Sequence, residues 1–315
     1  MQKIFSLWVK NMLRMTLVVI ALLILAVIVS ACSPLKIVNG LTTTDTYSAT
    51  VNIEYGPDAR NKLDLYQPKP PPQSAQASFP VVVFFFGGSW VSGDRASYRF
   101  VAEALAAKGI LVIVADYRLY PQVRYPDFLT DCALAVAWVQ REVSRFGGDT
   151  NRLYLMGHSS GAYNAAMLTL DPRWLTAAGV KPSAVAGWIG LAGPYDFFPM
   201  TNKQAQPVFN HPDYPTGSQP IDYVTKVAPR TFLGVPATDD VVNRERNTKQ
   251  LAEKLRAAGV PVTLKVYSGA GHASLIGAFA WPLRRIAPVL DDVAQFVLGE
   301  GAGSSASSTI SKITN

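Results

Sequence analysis

The stretch that decides the fold covers residues 153–170 and reads LYLMGHSSGAYNAAMLTL. Its first four residues are apolar and predict a buried strand, whereas residues 162–170 are typical of a helix. Between them lies Gly157-His158-Ser159-Ser160-Gly161, a Gly-x-Ser-x-Gly motif in the strand–turn–helix setting that presents a nucleophilic serine. The glycines permit a tight turn, and the N-terminus of the following helix favours developing negative charge. The motif therefore predicts Ser159 as a nucleophile.

Strand and helix alternate on both sides of this motif. The run at 81–86 is continuously apolar, as expected for a strand buried on both faces of a parallel sheet. The first strand is predicted to be half-buried, with Val51, Ile53 and Tyr55 on one face. Together the pattern predicts an α/β fold whose central sheet is mostly parallel, with helices on both faces. The predicted strands are 49–55, 62–66, 81–86, 110–115, 153–156, 184–191, 231–235 and 262–267, and the predicted helices are 98–108, 126–146, 162–170, 244–258 and 283–298.

A serine hydroxyl is a weak nucleophile and needs a general base. The sequence contains three histidines, His158, His211 and His272. His158 lies inside the motif, where we expect its side chain to point away from the reactive side of Ser159, and His211 lies in an irregular segment. His272 follows the last predicted strand within a flexible Gly-Ala-Gly-His turn. Because open α/β sheets place ligand-contacting groups at the carboxyl ends of strands, His272 is the predicted base.

A carboxylate is needed to hold the tautomer of the base and to stabilise its charged form. Asp239 and Asp240 both follow the strand predicted at 231–235, again at a carboxyl end. The chain order serine, aspartate, histidine is the order found in α/β-hydrolases. Spacing alone leaves either aspartate open as the partner of the base.

The negative oxygen of a tetrahedral intermediate needs preorganised hydrogen-bond donors. The sequence Phe86-Gly87-Gly88-Ser89-Trp90 follows the apolar run at 81–86, and its glycines let the main chain approach a substrate closely. The candidate donors are the backbone N–H groups of Gly88, Ser89 and Ser160.

Composition excludes several other classes of function. The 315 residues are 49% hydrophobic, enough for a large core, and the net charge of +7 is not gathered into a basic run that would bind nucleic acid. The two cysteines, Cys32 and Cys132, form no Cys/His pattern of a metal site. Cys132 lies in an apolar helical stretch and is predicted to be a buried, inert thiol.

The N-terminal segment has the pattern of a secretory signal, with Lys3, Lys10 and Arg14 before an apolar run at 15–29. This run is short of the roughly 20 residues that a membrane-spanning helix needs. It ends in Val29-Ser30-Ala31-Cys32, which resembles the lipobox of bacterial lipoproteins. That resemblance implies a lipidated Cys32, and the following serine, in place of aspartate, implies the outer membrane. An uncleaved anchor and ordinary signal cleavage remain open, and all three place the body of the protein outside the cytoplasm.

The predicted organisation is a signal peptide at 1–31, a tether at 32–48, a hydrolase domain at 49–299 and a flexible tail at 300–315. Residues 194–229 are rich in proline and aromatic residues without a clear period. Long irregular connections are usually functional, so this segment is predicted to be a cap-like insertion. The sequence does not indicate an oligomeric state.

Several motifs together resemble one branch of the α/β-hydrolase carboxylesterases, the branch with bacterial feruloyl-esterase-like proteins, kynurenine formamidase and prenylcysteine methylesterase. The resemblance covers about residues 50–298. It is carried by Gly87-Gly88-Ser89-Trp90, Asp116-Tyr117-Arg118-Leu119, Phe146-Gly147-Gly148-Asp149, Gly157-His158-Ser159-Ser160-Gly161-Ala162, Gly193-Pro194-Tyr195-Asp196 and Gly271-His272.

The resemblance implies hydrolysis of a small-molecule carboxylic ester through an acyl-enzyme, without a metal or organic cofactor. Related chains commonly show Asp-x-Val-Val after this strand, which favours Asp239 over Asp240. The family pattern is His-Gly-Gly-x-Trp, and here Phe86 replaces the histidine that is expected to brace the loop. Amide or formamide hydrolysis and a non-catalytic envelope protein are the alternatives.

Overall fold

The computed structural model describes residues 34–69 and 78–299, together with residues 12, 14–16 and 19. The chain forms two compact units, residues 1–41 and 42–315, and in the first of them helix α1 spans Pro34–Gly40. No helix in these described ranges combines the length and the apolar character needed to cross a membrane. Cys32, most of the predicted signal peptide and the predicted tail lie outside the described residues.

Eight strands form the central sheet of the second unit: β1 (Tyr47–Glu54), β2 (Lys62–Pro68), β3 (Phe79–Phe85), β4 (Leu111–Ala115), β5 (Gly148–His158), β6 (Val185–Leu191), β7 (Arg230–Pro236) and β8 (Val262–Tyr267). Their order across the sheet is β1-β2-β4-β3-β5-β6-β7-β8. Strands β3 to β8 are parallel to one another, whereas β2 pairs in antiparallel fashion with both β1 and β4 at one edge. Strands β3 and β4 are apolar along their whole length because both of their faces are buried.

The helices of the second unit are α2 (Arg99–Ala106), α3 (Asp127–Glu142), α4 (Ser160–Leu170), α5 (Pro172–Ala177), α6 (Gln250–Ala257), α7 (His272–Gly277) and α8 (Val289–Leu298). Helices α2 and α8 contact each other, and α3, α4 and α5 contact one another. The strand order and the layers are those of the α/β-hydrolase fold, as predicted.

The first strand differs from its prediction. Val51 was expected on a buried face but is 52% exposed, because β1 is an edge strand that pairs only with β2. A register shift between Thr50 and Ile53 also interrupts the alternation of faces. The second unit begins at residue 42, before the predicted boundary at 49, and the hydroxyl of Thr46 already donates a hydrogen bond of 3.3 Å to Glu103.

Several helix boundaries also differ from the prediction. The helix predicted from residue 283 begins only at Val289, after Pro288. The proline ring disfavours helical dihedral angles at the preceding residue, Ala287, so the helix does not extend further back. The helix predicted from 244 begins with a π-helical turn, Glu245–Lys249. Helices α5 and α7 were not predicted. Cys132 is fully buried, as predicted.

Candidate active site

The turn between β5 and α4 holds Ser159 in a conformation that few residues adopt, with φ of 54° and ψ of −124°. A Cβ atom on Gly157 would lie 2.1 Å from the carbonyl oxygen of Gly161, and one on Gly161 would lie 2.0 Å from that of Phe85. Only glycine fits at both positions. The N–H of Ser159 donates a hydrogen bond of 2.9 Å to Leu191 on the neighbouring strand β6. The sequence motif therefore fixes Ser159 at the carboxyl edge of the sheet.

The structure brings Ser159, His272 and Asp239 into one hydrogen-bonded chain. The Nε2 atom of His272 lies 3.0 Å from the Oγ atom of Ser159, and its Nδ1 atom lies 3.0 and 2.9 Å from the two carboxylate oxygens of Asp239. The three residues follow β5, β8 and β7, all at the carboxyl edge. His272 is the first residue of helix α7, not part of the flexible turn that the sequence indicated.

The carboxylate of Asp239 is held in place by the main chain. Its Oδ1 atom accepts hydrogen bonds of 2.9 Å from the N–H groups of both Val241 and Val242. Burial opposes ionisation of Asp239, but the hydrogen bond with His272 and the two backbone N–H groups outweigh it and lower the pKa of Asp239. The side chain of Asp239 is fully buried, whereas Asp240 is exposed. Spacing left both aspartates open and the family resemblance favoured Asp239, which is the one that contacts His272.

The loop after β3 carries three consecutive residues with positive φ: Gly88 at 131°, Ser89 at 54° and Trp90 at 60°. A Cβ atom on Gly88 would lie 2.2 Å from the carbonyl oxygen of Ser92, so the turn requires glycine there. Ser89 and Ser160, two of the predicted donor residues, line the same cavity as Ser159, whereas Gly88 is not among the residues that line it.

Phe86, the residue that departs from the family pattern, is fully buried between two tyrosine rings. Its ring stacks on that of Tyr117, with centroids 4.7 Å apart, and on that of Tyr98, with centroids 5.7 Å apart. The hydroxyl of Tyr117 also donates a hydrogen bond of 2.7 Å to the carbonyl oxygen of Phe86. The start of the loop is therefore held by stacking and by a bond to its main chain.

The cavity in front of Ser159 has a volume of about 230 Å³. Its walls come from the loop after β3, from the predicted insertion and from the segment after Asp239. The apolar part of its lining is formed by Trp90, Pro194, Phe197, Pro199, Met200, Ala205, Val241 and Val242, and the polar part by Ser89, Ser160, Asp196, Thr201, Asn202, Asn243, Arg246 and Asn247.

Two amide side chains attach the insertion to the site, and neither was singled out from the sequence. The Nδ2 atom of Asn202 donates a hydrogen bond of 3.0 Å to the hydroxyl of Ser89 in the loop after β3. Asn247, buried in the π-helical turn, accepts hydrogen bonds of 2.6 and 2.9 Å from the N–H groups of Tyr195 and Asp196. A π turn inside a helical pattern is a frequent mark of a functional site, but the sequence gives no signal for it.

The other two histidines do not contact the hydroxyl of Ser159 through a hydrogen bond. The Nε2 atom of His158 lies 2.9 Å from the carbonyl oxygen of His272. Burial, followed by the nearby His272, lowers the pKa of His158 to about 3. His211 is exposed in the insertion and contacts the hydroxyl of Tyr214 at 2.9 Å. Within the described ranges, no three or more histidine, cysteine, aspartate or glutamate side chains are grouped in a way that could hold a metal ion.

Comparison with known proteins gives a consistent result. The model of the BD-FAE family matches residues 63–255. The chain is 30% identical over 252 residues to a probable isoprenylcysteine alpha-carbonyl methylesterase of Oryza sativa subsp. japonica, covering 71% of this chain and 58% of that protein. It is 26% identical over 231 residues to the kynurenine formamidase of Danio rerio, covering 72% and 75%. The chain thus spans little more than half the length of the plant relative.

Among solved structures, the chain is similar to the thermophilic esterase Est2 of the Planctomycetes species Thermogutta terrifontis. The TM-score is 0.65 at 22% sequence identity, over 84% of this chain and 95% of that one. At this level of identity the likeness shows a shared fold.

Proposed function

Because the chain belongs to the BD-FAE family, we propose that it is a serine hydrolase that cleaves a carboxylic ester through an acyl-enzyme. The observation that carries the proposal is the continuous hydrogen-bonded chain from Asp239 through His272 to Ser159, with links of 2.9 and 3.0 Å. The similarity to a plant methylesterase adds support for ester chemistry.

In this mechanism His272 removes the proton from the hydroxyl of Ser159 while the Oγ atom attacks the carbonyl carbon of the ester. The negative oxygen of the tetrahedral intermediate accepts hydrogen bonds from the backbone N–H groups of Ser160 and of Ser89 or Gly88. His272 then returns the proton to the alcohol oxygen as it leaves. In the second half, His272 activates a water molecule that releases the acid from Ser159.

Asp239 has two tasks in this scheme. Its lowered pKa keeps it ionised, so that it accepts the Nδ1–H of His272 and leaves the Nε2 atom free to take the proton of Ser159. Its negative charge also stabilises the imidazolium that forms in each half of the reaction.

The cavity favours short acyl groups. Its volume of about 230 Å³ is below the range of about 300–1,000 Å³ that is typical of pockets for drug-sized ligands. Rings and aliphatic side chains of Trp90, Phe197, Met200 and Val242 offer an apolar wall beside Ser159.

A series of p-nitrophenyl esters with increasing acyl length tests both the reaction and the size limit. We expect turnover of the acetate and butyrate, a steep fall for the long acyl chains, and loss of turnover in Ser159→Ala. A Ser159→Ala variant that retains turnover would refute the proposed nucleophile.

Formamide hydrolysis is the second candidate, and the similarity to a kynurenine formamidase favours it over other amidase reactions. N-formylkynurenine, assayed beside the esters, separates the two. Cleavage of the formamide alone would overturn the esterase assignment. A folded protein that a fluorophosphonate probe never labels at Ser159 would instead favour a non-catalytic envelope protein.

For localisation, we propose that Cys32 is lipidated and anchors the domain at the periplasmic face of the bacterial outer membrane. The support is the charged and apolar signal pattern that ends in Val29-Ser30-Ala31-Cys32. Labelled palmitate should be incorporated into the wild type and not into Cys32→Ser. Membrane-bound protein without label would indicate an uncleaved anchor, and released protein would indicate ordinary signal cleavage.

A further inference from the structure

His158 is a buried ionisable residue in the middle of the site that the mechanism above does not use. It is 5% exposed, and its ring centroid lies 5.1 Å from that of His272. It occupies the position directly before the nucleophile, but its Nε2 atom is bonded to the main chain of His272 at 2.9 Å and not to a side chain.

The chemistry of this bond fixes the state of the ring. A carbonyl oxygen can only accept a hydrogen bond, so the Nε2 atom of His158 must carry the hydrogen. Burial keeps the imidazole neutral, which places no second positive charge beside the imidazolium that forms on His272 during the reaction. The Nδ1 atom of His158 faces Gly87. A Cβ atom added to Gly87 would lie 3.2 Å from this nitrogen and 3.0 Å from the Cβ atom of Ser159.

His272 lies at the start of a short helix, whose first turn is also held by a hydrogen bond of 2.8 Å from the N–H of Gly271 to the hydroxyl of Ser274. His272 begins a helix of only six residues and follows Gly269-Ala270-Gly271. Its imidazole must nevertheless meet the Oγ atom of Ser159 and the carboxylate of Asp239 at once. A displacement of 1 Å within such a constellation can lower a rate by about 100-fold.

We propose that His158 is a positioning residue, which donates a hydrogen bond from Nε2 to the main chain of His272 and so holds the general base against the nucleophile. This inference rests on the proposed function. It assigns a role to the histidine of the Gly-His-Ser-Ser-Gly motif. Glutamine could replace this histidine as the hydrogen-bond donor, because its side-chain Nε2 atom lies about as far from the main chain as the Nε2 atom of histidine.

The test compares three variants. His158→Leu removes the donor, His158→Asn keeps an amide donor that is too short to reach, and His158→Gln restores a donor at the right distance. For ester turnover we expect kcat to fall by about 10- to 100-fold in the leucine and asparagine variants, with KM changed by less than about threefold. The glutamine variant should remain within about fivefold of the wild type.

The rate at which a fluorophosphonate labels Ser159 is the second readout, since it depends on activation of the hydroxyl by His272 and not on any ester. A wild type that labels but hydrolyses no ester would refute the proposed function, and the labelling rates of the variants would still decide the role of His158. Leucine and wild-type proteins with equal rates would overturn the inference. If the leucine variant fails to fold, asparagine and glutamine variants with equal rates would overturn it in the same way.

Discussion

Replacing Asp239 with asparagine should disable the site while leaving its shape intact. The Oδ1 atom of Asp239 accepts two backbone N–H groups, from Val241 and Val242, each at 2.9 Å. An asparagine must place its amide oxygen there, because its NH₂ group cannot accept those bonds. The NH₂ group then occupies the position of Oδ2, 2.9 Å from the Nδ1 atom of His272.

From that position the amide donates to Nδ1, and the hydrogen of the neutral imidazole moves to Nε2. The Nε2 atom then points a hydrogen at Ser159 and cannot accept its proton. The wrong tautomer lowers kcat by about 10⁴-fold in a serine protease whose aspartate is changed to asparagine. We expect the same order of loss here, equivalent to about 5 kcal/mol of transition-state stabilisation.

The assay is hydrolysis of p-nitrophenyl butyrate by Asp239→Asn, with Asp240→Asn as the matched control. The control removes the exposed charge of the adjacent Asp240, and its rate of hydrolysis should stay within about twofold of the wild-type rate, as expected for a surface substitution. A loss of less than about tenfold in Asp239→Asn, or an equal loss in both variants, would refute the assigned tautomer and the choice of aspartate.

The same substitution has a signature in stability against pH. The folded pKa of Asp239 is lowered, so its contribution to stability is present above the unfolded pKa of about 3.9 and is lost as pH falls below it. Between about pH 5 and pH 3 the free energy of unfolding should therefore fall less in Asp239→Asn than in the wild type. Urea unfolding across this range measures the difference, and parallel curves would contradict the lowered pKa.

Three further substitutions test the surroundings of the site. Tyr117→Phe removes the hydroxyl that donates a hydrogen bond to the carbonyl oxygen of Phe86. It should lower the free energy of unfolding by about 1 kcal/mol and kcat by a few fold. An unchanged kcat would show that this bond does not hold the loop. Asn202→Ala removes the hydrogen bond to Ser89 and should lower kcat/KM by about tenfold with little change in melting temperature. A wild-type kcat/KM would show that this bond between the insertion and the loop does not support catalysis. Gly157→Ala places a Cβ atom 2.1 Å from a carbonyl oxygen, and soluble, fully active protein would contradict the described turn.

The sequence was sufficient where a local pattern determines the structure. A continuous apolar run is typical of a strand covered on both faces, so the strand at 81–86 and its neighbour at 110–115 could be located within two residues. The other neighbour, predicted at 153–156, begins five residues earlier, at Gly148, in a stretch that is polar. The turn at Ser159 could be predicted because its motif carries glycine at two positions. At both of them a Cβ atom would lie near 2 Å from a carbonyl oxygen, so the turn accepts no other residue. The partners of Ser159 followed from the rule that carboxyl ends of parallel strands meet at one edge.

The sequence was insufficient where a contact joins distant segments. The bond between Asn202 and Ser89 spans 113 positions, and the bond between His158 and His272 spans 114. No periodicity encodes either of them. Asp239 and Asp240 were equivalent by spacing, and only the backbone turn through Val242 turns one carboxylate towards His272. The burial of β1 was mispredicted for a related reason: the strand is mostly exposed because it lies at the edge of the sheet, and that position is a property of the whole sheet.

The departure at Phe86 shows which property of the loop before Ser89 is required. The histidine of the family pattern is expected to brace the loop through its side chain, whereas phenylalanine has no polar group to offer. Here two other contacts act on the same residue, because its ring lies between Tyr98 and Tyr117 and its carbonyl oxygen accepts the hydroxyl of Tyr117. What oxyanion stabilisation needs is a fixed main chain, since the donors are backbone N–H groups. Any side chain that fixes that main chain satisfies the requirement, so the loss of the histidine is compatible with the proposed chemistry.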